Sequence, residues 1–127
     1  MNKELITKLI EKARSSAEHA YCPFTNRPSG CALLVEGNII FGGCNVESSN
    51  LVTAGEVAIL KAVSEGYTKF LAICFWAEGE LPWPGGGVLE LISGFNDAIQ
   101  IIVATDNDYE IRHLYELLPF RSRTEVD

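Results

Sequence analysis

The segment Phe70–Ala77 constrains the fold more than any other part of the chain, because its eight residues, FLAICFWA, carry no charge. A strand with one face in water alternates apolar and polar side chains, whereas a nearly continuous apolar strand is typical of a sheet covered on both faces. Covering both faces requires helices on each side of the sheet. This segment therefore predicts a central strand in a layered α/β fold.

Patterns along the rest of the chain predict the helices and the remaining strands of this fold. Apolar residues from Leu5 to Ala20 recur at helical spacing and predict a first helix over about residues 2 to 19. The later patterns predict, in chain order, a hairpin of strands 31–35 and 39–41, a helix over 54–65, the strand 70–77, a helix over 88–95, a strand over 100–105 and a helix over 111–118 that Pro119 ends. The order αββαβαβα indicates a three-layer α/β/α sandwich with a central mixed sheet.

Composition narrows the function classes. The chain has 127 residues and predicts a single domain over 1–127. A net charge of −7 argues against nucleic acid as a partner, since phosphate binding needs clustered Lys and Arg. Charged residues interrupt the N-terminal helix, so it is no signal peptide, and no apolar run is long enough to cross a membrane. We therefore expect a cytoplasmic protein whose four cysteines are reduced.

Several short strings carry a family resemblance when they are taken together and in order. They are Tyr21-Cys-Pro-Phe24 with Pro28-Ser-Gly-Cys-Ala-Leu-Leu34, then Gly43-Cys-Asn-Val-Glu47, then Ala58-Ile-Leu-Lys-Ala-Val-Ser-Glu-Gly66, then Glu116-Leu-Leu-Pro119. Nearly end to end, the chain resembles the small homotetrameric cytidine deaminases and their blasticidin-S deaminase relatives. The resemblance implies the cytidine-deaminase fold.

The resemblance also implies where a catalytic zinc ion would lie. In that family one Cys or His and two further Cys hold the zinc, and a Glu two residues after the first ligand moves protons during attack on the pyrimidine. Matching the following helix places Thr53 at the first ligand and Gly55 at the catalytic Glu. Matching the later loop places Gly85 and Val88 at the two Cys ligands.

Thr, Gly and Val cannot replace the thiolates and imidazoles that zinc requires. The sequence therefore predicts no metal and no cofactor, and with them the loss of zinc-dependent deamination. Two carboxylates remain candidates for a catalytic base, Glu56 and Glu90. Glu56 would reach the catalytic position, with Ala54 as ligand, if the alignment slipped by one residue, but a gap inside a helix rotates every later side chain by about 100°.

The substrate-binding positions of the family are better preserved. Asn45 and Glu47 stand where the family's Asn and Glu bind the ribose hydroxyls. Arg27 replaces the aromatic residue that stacks on the base, and an arginine can also stack on a π face. We expect a polar small molecule such as a nucleoside to contact these three residues together with Phe24, near Tyr21 and Glu56.

Three functions remain open at this point. The main prediction is a zinc-free, catalytically inactive cytidine-deaminase-like protein that retains part of a nucleoside-binding pocket. One alternative is an enzyme of the family with altered, metal-independent chemistry on a nucleoside-like substrate. The other is a structural subunit that co-assembles with an active relative. The resemblance implies a homotetramer, with the segment Leu117-Leu-Pro-Phe120 reaching a neighbouring subunit.

Overall fold

A computed structural model describes residues 1–118 of the chain. In chain order its elements are α1 (Lys3–Ala17), β1 (Ser29–Val35), β2 (Ile39–Cys44), β3 (Val46–Glu47), β4 (Leu51–Val52), α2 (Ala54–Ser64), β5 (Phe70–Ala77), α3 (Gly86–Ser93), β6 (Gln100–Ala104), β7 (Tyr109–His113) and α4 (Leu114–Leu117).

The centre of the fold is a five-stranded mixed sheet with the strand order β2-β1-β5-β6-β7. Strand β5 pairs antiparallel with β1 and parallel with β6, and the remaining neighbours pair antiparallel. As the apolar run predicted, β5 is the middle strand, and six of its eight residues are buried. Short strands β3 and β4 form a separate two-stranded sheet.

Alternating side chains of the sheet divide the interior into two apolar cores. On one face, Leu9 and Ala13 of α1 pack against Leu34, Cys74 and other inner residues of the sheet. On the other face, helices α2 and α3 pack against the intervening residues, which include Leu33, Ile73 and Phe75. This arrangement confirms the predicted three-layer α/β/α sandwich with a central mixed sheet.

The sequence pattern misassigned part of the C-terminal region. The predicted helix over 111–118 is wrong in its first half, because residues Tyr109–His113 form the edge strand β7 and the helix α4 begins at Leu114. On an edge strand the alternation of Glu110, Ile111 and Arg112 suffices for pairing, and a long apolar run is not needed. Pro119, predicted to end this helix, and the tip of the predicted intersubunit segment lie outside the described residues.

The polar segment 45–53 between β2 and α2 contains the short strands β3 and β4. Within residues 1–118, no helix is long and apolar enough to cross a membrane.

Candidate functional site

A cleft of about 200 Å³, which we call the central cleft, opens beside the C-terminal end of β5 and the start of β1. The N-termini of α2 and α3 both point to it: Thr53 is the N-cap of α2, and Gly85 is the N-cap of α3. Free N–H groups at a helix N-terminus favour polar or negatively charged ligands. The fold thus directs two helix N-termini at one cleft.

The residues matched to the family's chemical positions come together in this cleft. Thr53 and Gly55 lie more than 25 residues away in sequence from Gly85 and Val88, yet all four line the same cleft. Their convergence was expected from the resemblance, and the structure places them accordingly. The sequence could not indicate the other polar group on the wall, Ser29, whose position follows from the pairing of β1 with β5.

The position of the family's catalytic Glu is closely packed. A Cβ atom added to Gly55 would lie 2.9 Å from Cε1 of Phe75 and 3.0 Å from Cγ1 of Val88. These are distances that real Cβ atoms almost never show, so a longer side chain at this position requires the ring or the isopropyl group to move. Glycine at position 55 therefore fits the apolar side chains that face it.

The residues of the central cleft do not fit a zinc ion. Of the three positions matched to metal ligands, Thr53 offers a neutral hydroxyl, and Gly85 and Val88 offer no side-chain donor. Zinc sites in proteins use thiolate, imidazole or carboxylate ligands. Across residues 1–118, no group of three or more His, Cys, Asp or Glu side chains is arranged to hold a metal ion.

The Thr53 hydroxyl and the Glu56 carboxylate form a hydrogen-bonded pair at the N-terminus of α2. The Thr53 hydroxyl donates to Oε1 of Glu56 over 2.9 Å and accepts the Glu56 backbone N–H over 3.1 Å. The same Oε1 accepts the Thr53 backbone N–H over 3.0 Å, which completes a capping box. Thr53 lines the central cleft, and Glu56, which is not among the lining residues, is joined to it by these bonds.

Glu47 holds the segment 21–29, which we call the binding loop. Its Oε1 accepts the backbone N–H groups of Phe24 and Thr25 over 3.0 Å each, and its Oε2 accepts the Thr25 hydroxyl over 2.6 Å. The Thr25 hydroxyl bond, aided by both N–H bonds, lowers the pKa of Glu47 below its ordinary value although desolvation opposes the shift. A lowered pKa means that the carboxylate stabilises the fold above that pKa, and that this stability is lost as the pH falls through it.

Asn45 holds the other end of the binding loop. Its Oδ1 accepts the Ser29 backbone N–H over 2.9 Å, and its Nδ2 donates to the Arg27 carbonyl over 3.0 Å. The structure therefore brings the four predicted binding residues into one hydrogen-bonded unit. The side chains of Asn45 and Glu47 bond mainly to the loop, and the Phe24 ring is 72% exposed.

The binding loop connects the central cleft with a wider neighbouring cleft. Arg27 lines that wider cleft, which shares Ser29 and Pro82 with the central one. Trp83 closes the other side of the central cleft, and the Arg112 guanidinium lies 5.8 Å from the centre of its ring. In the sequence Trp83 lies between Pro82 and Pro84, and an aromatic residue in such a loop fits either a pocket wall or a subunit contact.

The chain is similar to known deaminases in sequence. Residues 3–78 match the family described as the cytidine and deoxycytidylate deaminase zinc-binding region. A cytidine deaminase of Sporosarcina psychrophila is 34% identical over 120 residues, which cover 90% of this chain and 88% of that protein. A probable cytidine deaminase of Dictyostelium discoideum is 33% identical over 124 residues, which cover 94% of this chain and 84% of that protein.

Solved structures agree with the fold. The crystal structure of cytidine deaminase from Burkholderia pseudomallei superposes with a TM-score of 0.87 at 26% identity, covering 96% of this chain and all of that one. Cytidine deaminase from Mycobacterium tuberculosis superposes with a TM-score of 0.82 at 23% identity, covering 94% of this chain and 98% of that one. At 23% identity, the likeness to the Mycobacterium tuberculosis structure shows a shared fold.

These comparisons overturn the prediction of a catalytically inactive protein that keeps only part of a nucleoside pocket. Relatives named as cytidine deaminases share about a third of their residues with this chain over most of their length. Replaced ligand positions are weak evidence of inactivity, because positioned acid–base groups alone contribute about 10²–10⁴-fold to a rate. The alternative, an enzyme of altered chemistry, is the better supported interpretation.

Proposed function

Because the chain belongs to the cytidine and deoxycytidylate deaminase family, we propose that it is an enzyme that acts on a nucleoside-like substrate by metal-independent acid–base chemistry. The observation that carries this proposal is the bond of 2.9 Å between the Glu56 carboxylate and the hydroxyl of Thr53, a residue that lines the central cleft. A hydroxyl joined to a base within hydrogen-bond reach is the arrangement that activates a nucleophile or a water molecule.

The hydrogen bonds of the Thr53 hydroxyl leave one lone pair of its oxygen for a proton relay. Its hydroxyl hydrogen points to Glu56, and one of its two lone pairs takes the Glu56 N–H. The second lone pair can accept a hydrogen bond from a water molecule in the cleft. As that water attacks an electron-poor ring carbon, its proton passes to Thr53 and the Thr53 proton passes to Glu56.

The second half of the reaction returns the proton. As the carbon–oxygen bond forms, the π bond between the ring carbon and the ring nitrogen breaks and its electron pair moves to the nitrogen, which gives a tetrahedral adduct; the same pair restores that π bond when the leaving group departs. Protonated Glu56 then gives its proton back through Thr53 to the leaving group, whose bond to the ring carbon breaks. Atoms and charge balance: water enters, the protonated leaving group departs, and Glu56 is again a carboxylate.

The surrounding residues suit a flat, partly apolar substrate. Phe75, Val88 and Trp83 give the central cleft apolar walls against which a ring can pack. We propose that Asn45 and Glu47 contribute by fixing the binding loop and by offering one further hydrogen bond each to a ligand hydroxyl. Nδ2 of Asn45 has a second hydrogen, and Oε2 of Glu47 accepts the Thr25 hydroxyl and has a further lone pair.

We propose in addition that the chain forms a homo-oligomer, as its resemblance to tetrameric deaminases implied. The support is a set of large apolar side chains left open on the described surface, namely Tyr21, Phe24, Leu51, Leu60, Trp83 and Tyr115, which are 42–72% exposed. Large exposed apolar side chains of this kind are candidates for a protein contact.

The substrate preference tests the proposed chemistry. We expect turnover to rise along a series of pyrimidine nucleosides whose C4 substituent leaves more readily than an amine, because acid–base groups supply only about 10²–10⁴-fold on their own. Product release would be followed by absorbance against a buffer blank, with Thr53→Val as the matched control that lacks the relay hydroxyl. Rates equal to those of Thr53→Val for every substrate would contradict the proposal.

A further inference from the structure

A second cleft, which shares no lining residue with the central cleft, is lined by positively charged residues in a chain that is acidic as a whole. It has a volume of about 260 Å³ and runs between α1 and α2 along the edge strand β2. Its wall includes the side chains of Lys12, His19 and Lys61 with those of Ser16 and Cys44. We call it the edge cleft.

The edge cleft concentrates positive charge in a chain whose net charge is −7. Its lining contains two lysines and a histidine and no Asp or Glu, whereas three other described clefts contain Glu18, Glu80 or Asp108. The ion pairs found within residues 1–118 join Arg14 to Asp106, Lys69 to Glu36 and Arg112 to Glu110. Among the described residues, neither lysine of the edge cleft takes part in one.

The backbone of β2 brings these two lysines to one place. The Lys61 ammonium donates a hydrogen bond to the Gly42 carbonyl, which anchors one charge at the floor of the cleft. A Cβ on Gly42 would lie 2.3 Å from the Ser16 hydroxyl oxygen and 2.9 Å from Cε of Lys12. The absence of a side chain at Gly42 therefore lets the Lys12 stem and the Ser16 hydroxyl lie against the strand.

We propose that the edge cleft binds a phosphate group. Among the described residues the two ammonium groups have no carboxylate partner, and they match the charge and the several acceptor oxygens of a phosphate. The Ser16 hydroxyl is not a further donor, because it already donates to the Lys12 carbonyl over 2.8 Å. Lysines are established binders of phosphate as compact point charges. The two ammonium groups repel each other, and a bound dianion would reduce that repulsion.

The phosphate can come from two sources, which share this chemistry: free inorganic phosphate or the 5′-phosphate of a nucleotide. The edge cleft shares no lining residue with the central cleft, so the proposal does not depend on the proposed chemistry. A bound phosphate would add stability to the folded chain, because a ligand that binds the native state raises its stability by mass action.

Thermal unfolding tests the proposal with inorganic phosphate and with cytidine 5′-monophosphate, each compared with sodium chloride at equal ionic strength. We expect inorganic phosphate to raise the melting temperature above the chloride value, and Lys12→Met to weaken its apparent affinity about tenfold. Lys8→Met is the matched control, because it removes one exposed lysine from the same helix outside the edge cleft. It should respond to phosphate as the wild type does.

Each outcome is decisive. A shift with the nucleotide that Lys12→Met weakens, and that cytidine does not produce, assigns the site to the nucleotide's phosphate as well. A shift that Lys12→Met and Lys8→Met reduce equally would show general screening of charge and would overturn the proposal. No shift beyond that of chloride with either phosphate compound would also overturn it. Lys61→Met is a poorer probe, since it removes the bond to Gly42.

Discussion

Glu56→Gln should lower turnover by about 10²–10⁴-fold, because glutamine cannot take the proton that the relay delivers. The substitution is a sharp probe, since Gln serves as well as Glu at the third position of a capping box. The side-chain oxygen of Gln can still accept the Thr53 N–H and O–H bonds seen for Oε1 of Glu56. We therefore expect the melting temperature to change little.

Two variants of Thr53 separate catalysis from capping. Thr53→Ser keeps both the hydroxyl and the cap, and should retain most of the turnover. Thr53→Val removes the hydroxyl and should lose turnover together with about 1 kcal/mol of stability, the usual cost of a lost N-cap. Initial rates at saturating and limiting substrate would be measured for all three variants. If Glu56→Gln matches the wild-type rate, Glu56 is a structural capping residue and the relay is wrong.

Gly30→Ala should prevent stable folding. A Cβ at this position would lie 1.8 Å from the Ala13 carbonyl oxygen and 2.8 Å from its carbonyl carbon, so a single methyl group would collide with the backbone of α1. Relief requires α1 to move away from β1, which opens the core formed by Leu9, Ala13 and the sheet. We expect a loss above about 4 kcal/mol, which belongs to the rare severe substitutions.

A glycine elsewhere gives the matched control for this experiment. A Cβ on Gly87 meets no other atom within 4 Å, and Gly87 lies in the first turn of α3. Gly87→Ala should therefore preserve or raise stability, by up to about 1 kcal/mol from helix propensity. Urea unfolding followed by circular dichroism would compare the two variants. A Gly30→Ala protein as stable as the wild type would show that α1 does not approach β1 this closely.

The layered fold was predictable because its strongest signals come from buried, repetitive patterns. The apolar run Phe70–Ala77 identifies the middle strand because burial on both faces leaves no position for a charge. The start of α2 was also predicted correctly, since apolar spacing begins at Ala54, and the hydrogen bonds of Thr53 explain that start. Strand β7 was missed because an edge strand carries charged residues such as Glu110 and Arg112.

The chemistry of the site was less predictable. The family resemblance implied that Thr53, Gly85 and Val88 lie at one site, and all three line the central cleft. The resemblance identified Thr53 only as a replaced metal ligand. It did not indicate the bond from Thr53 to Glu56, because that bond depends on side-chain geometry at the helix N-terminus. Likewise, no sequence pattern indicated that Glu47 bonds to Phe24 and Thr25, because these contacts join segments more than 20 residues apart.

The central claim is that this deaminase-family enzyme works without a metal, and metal content measured alongside turnover tests it most directly. The protein would be produced in zinc-supplemented medium, analysed for bound elements, and assayed on its best nucleoside substrate with and without a strong chelator. Our account predicts no stoichiometric zinc, and turnover and melting temperature that the chelator leaves unchanged. One tightly held zinc ion per chain, with turnover that the chelator abolishes and added zinc restores, would contradict it.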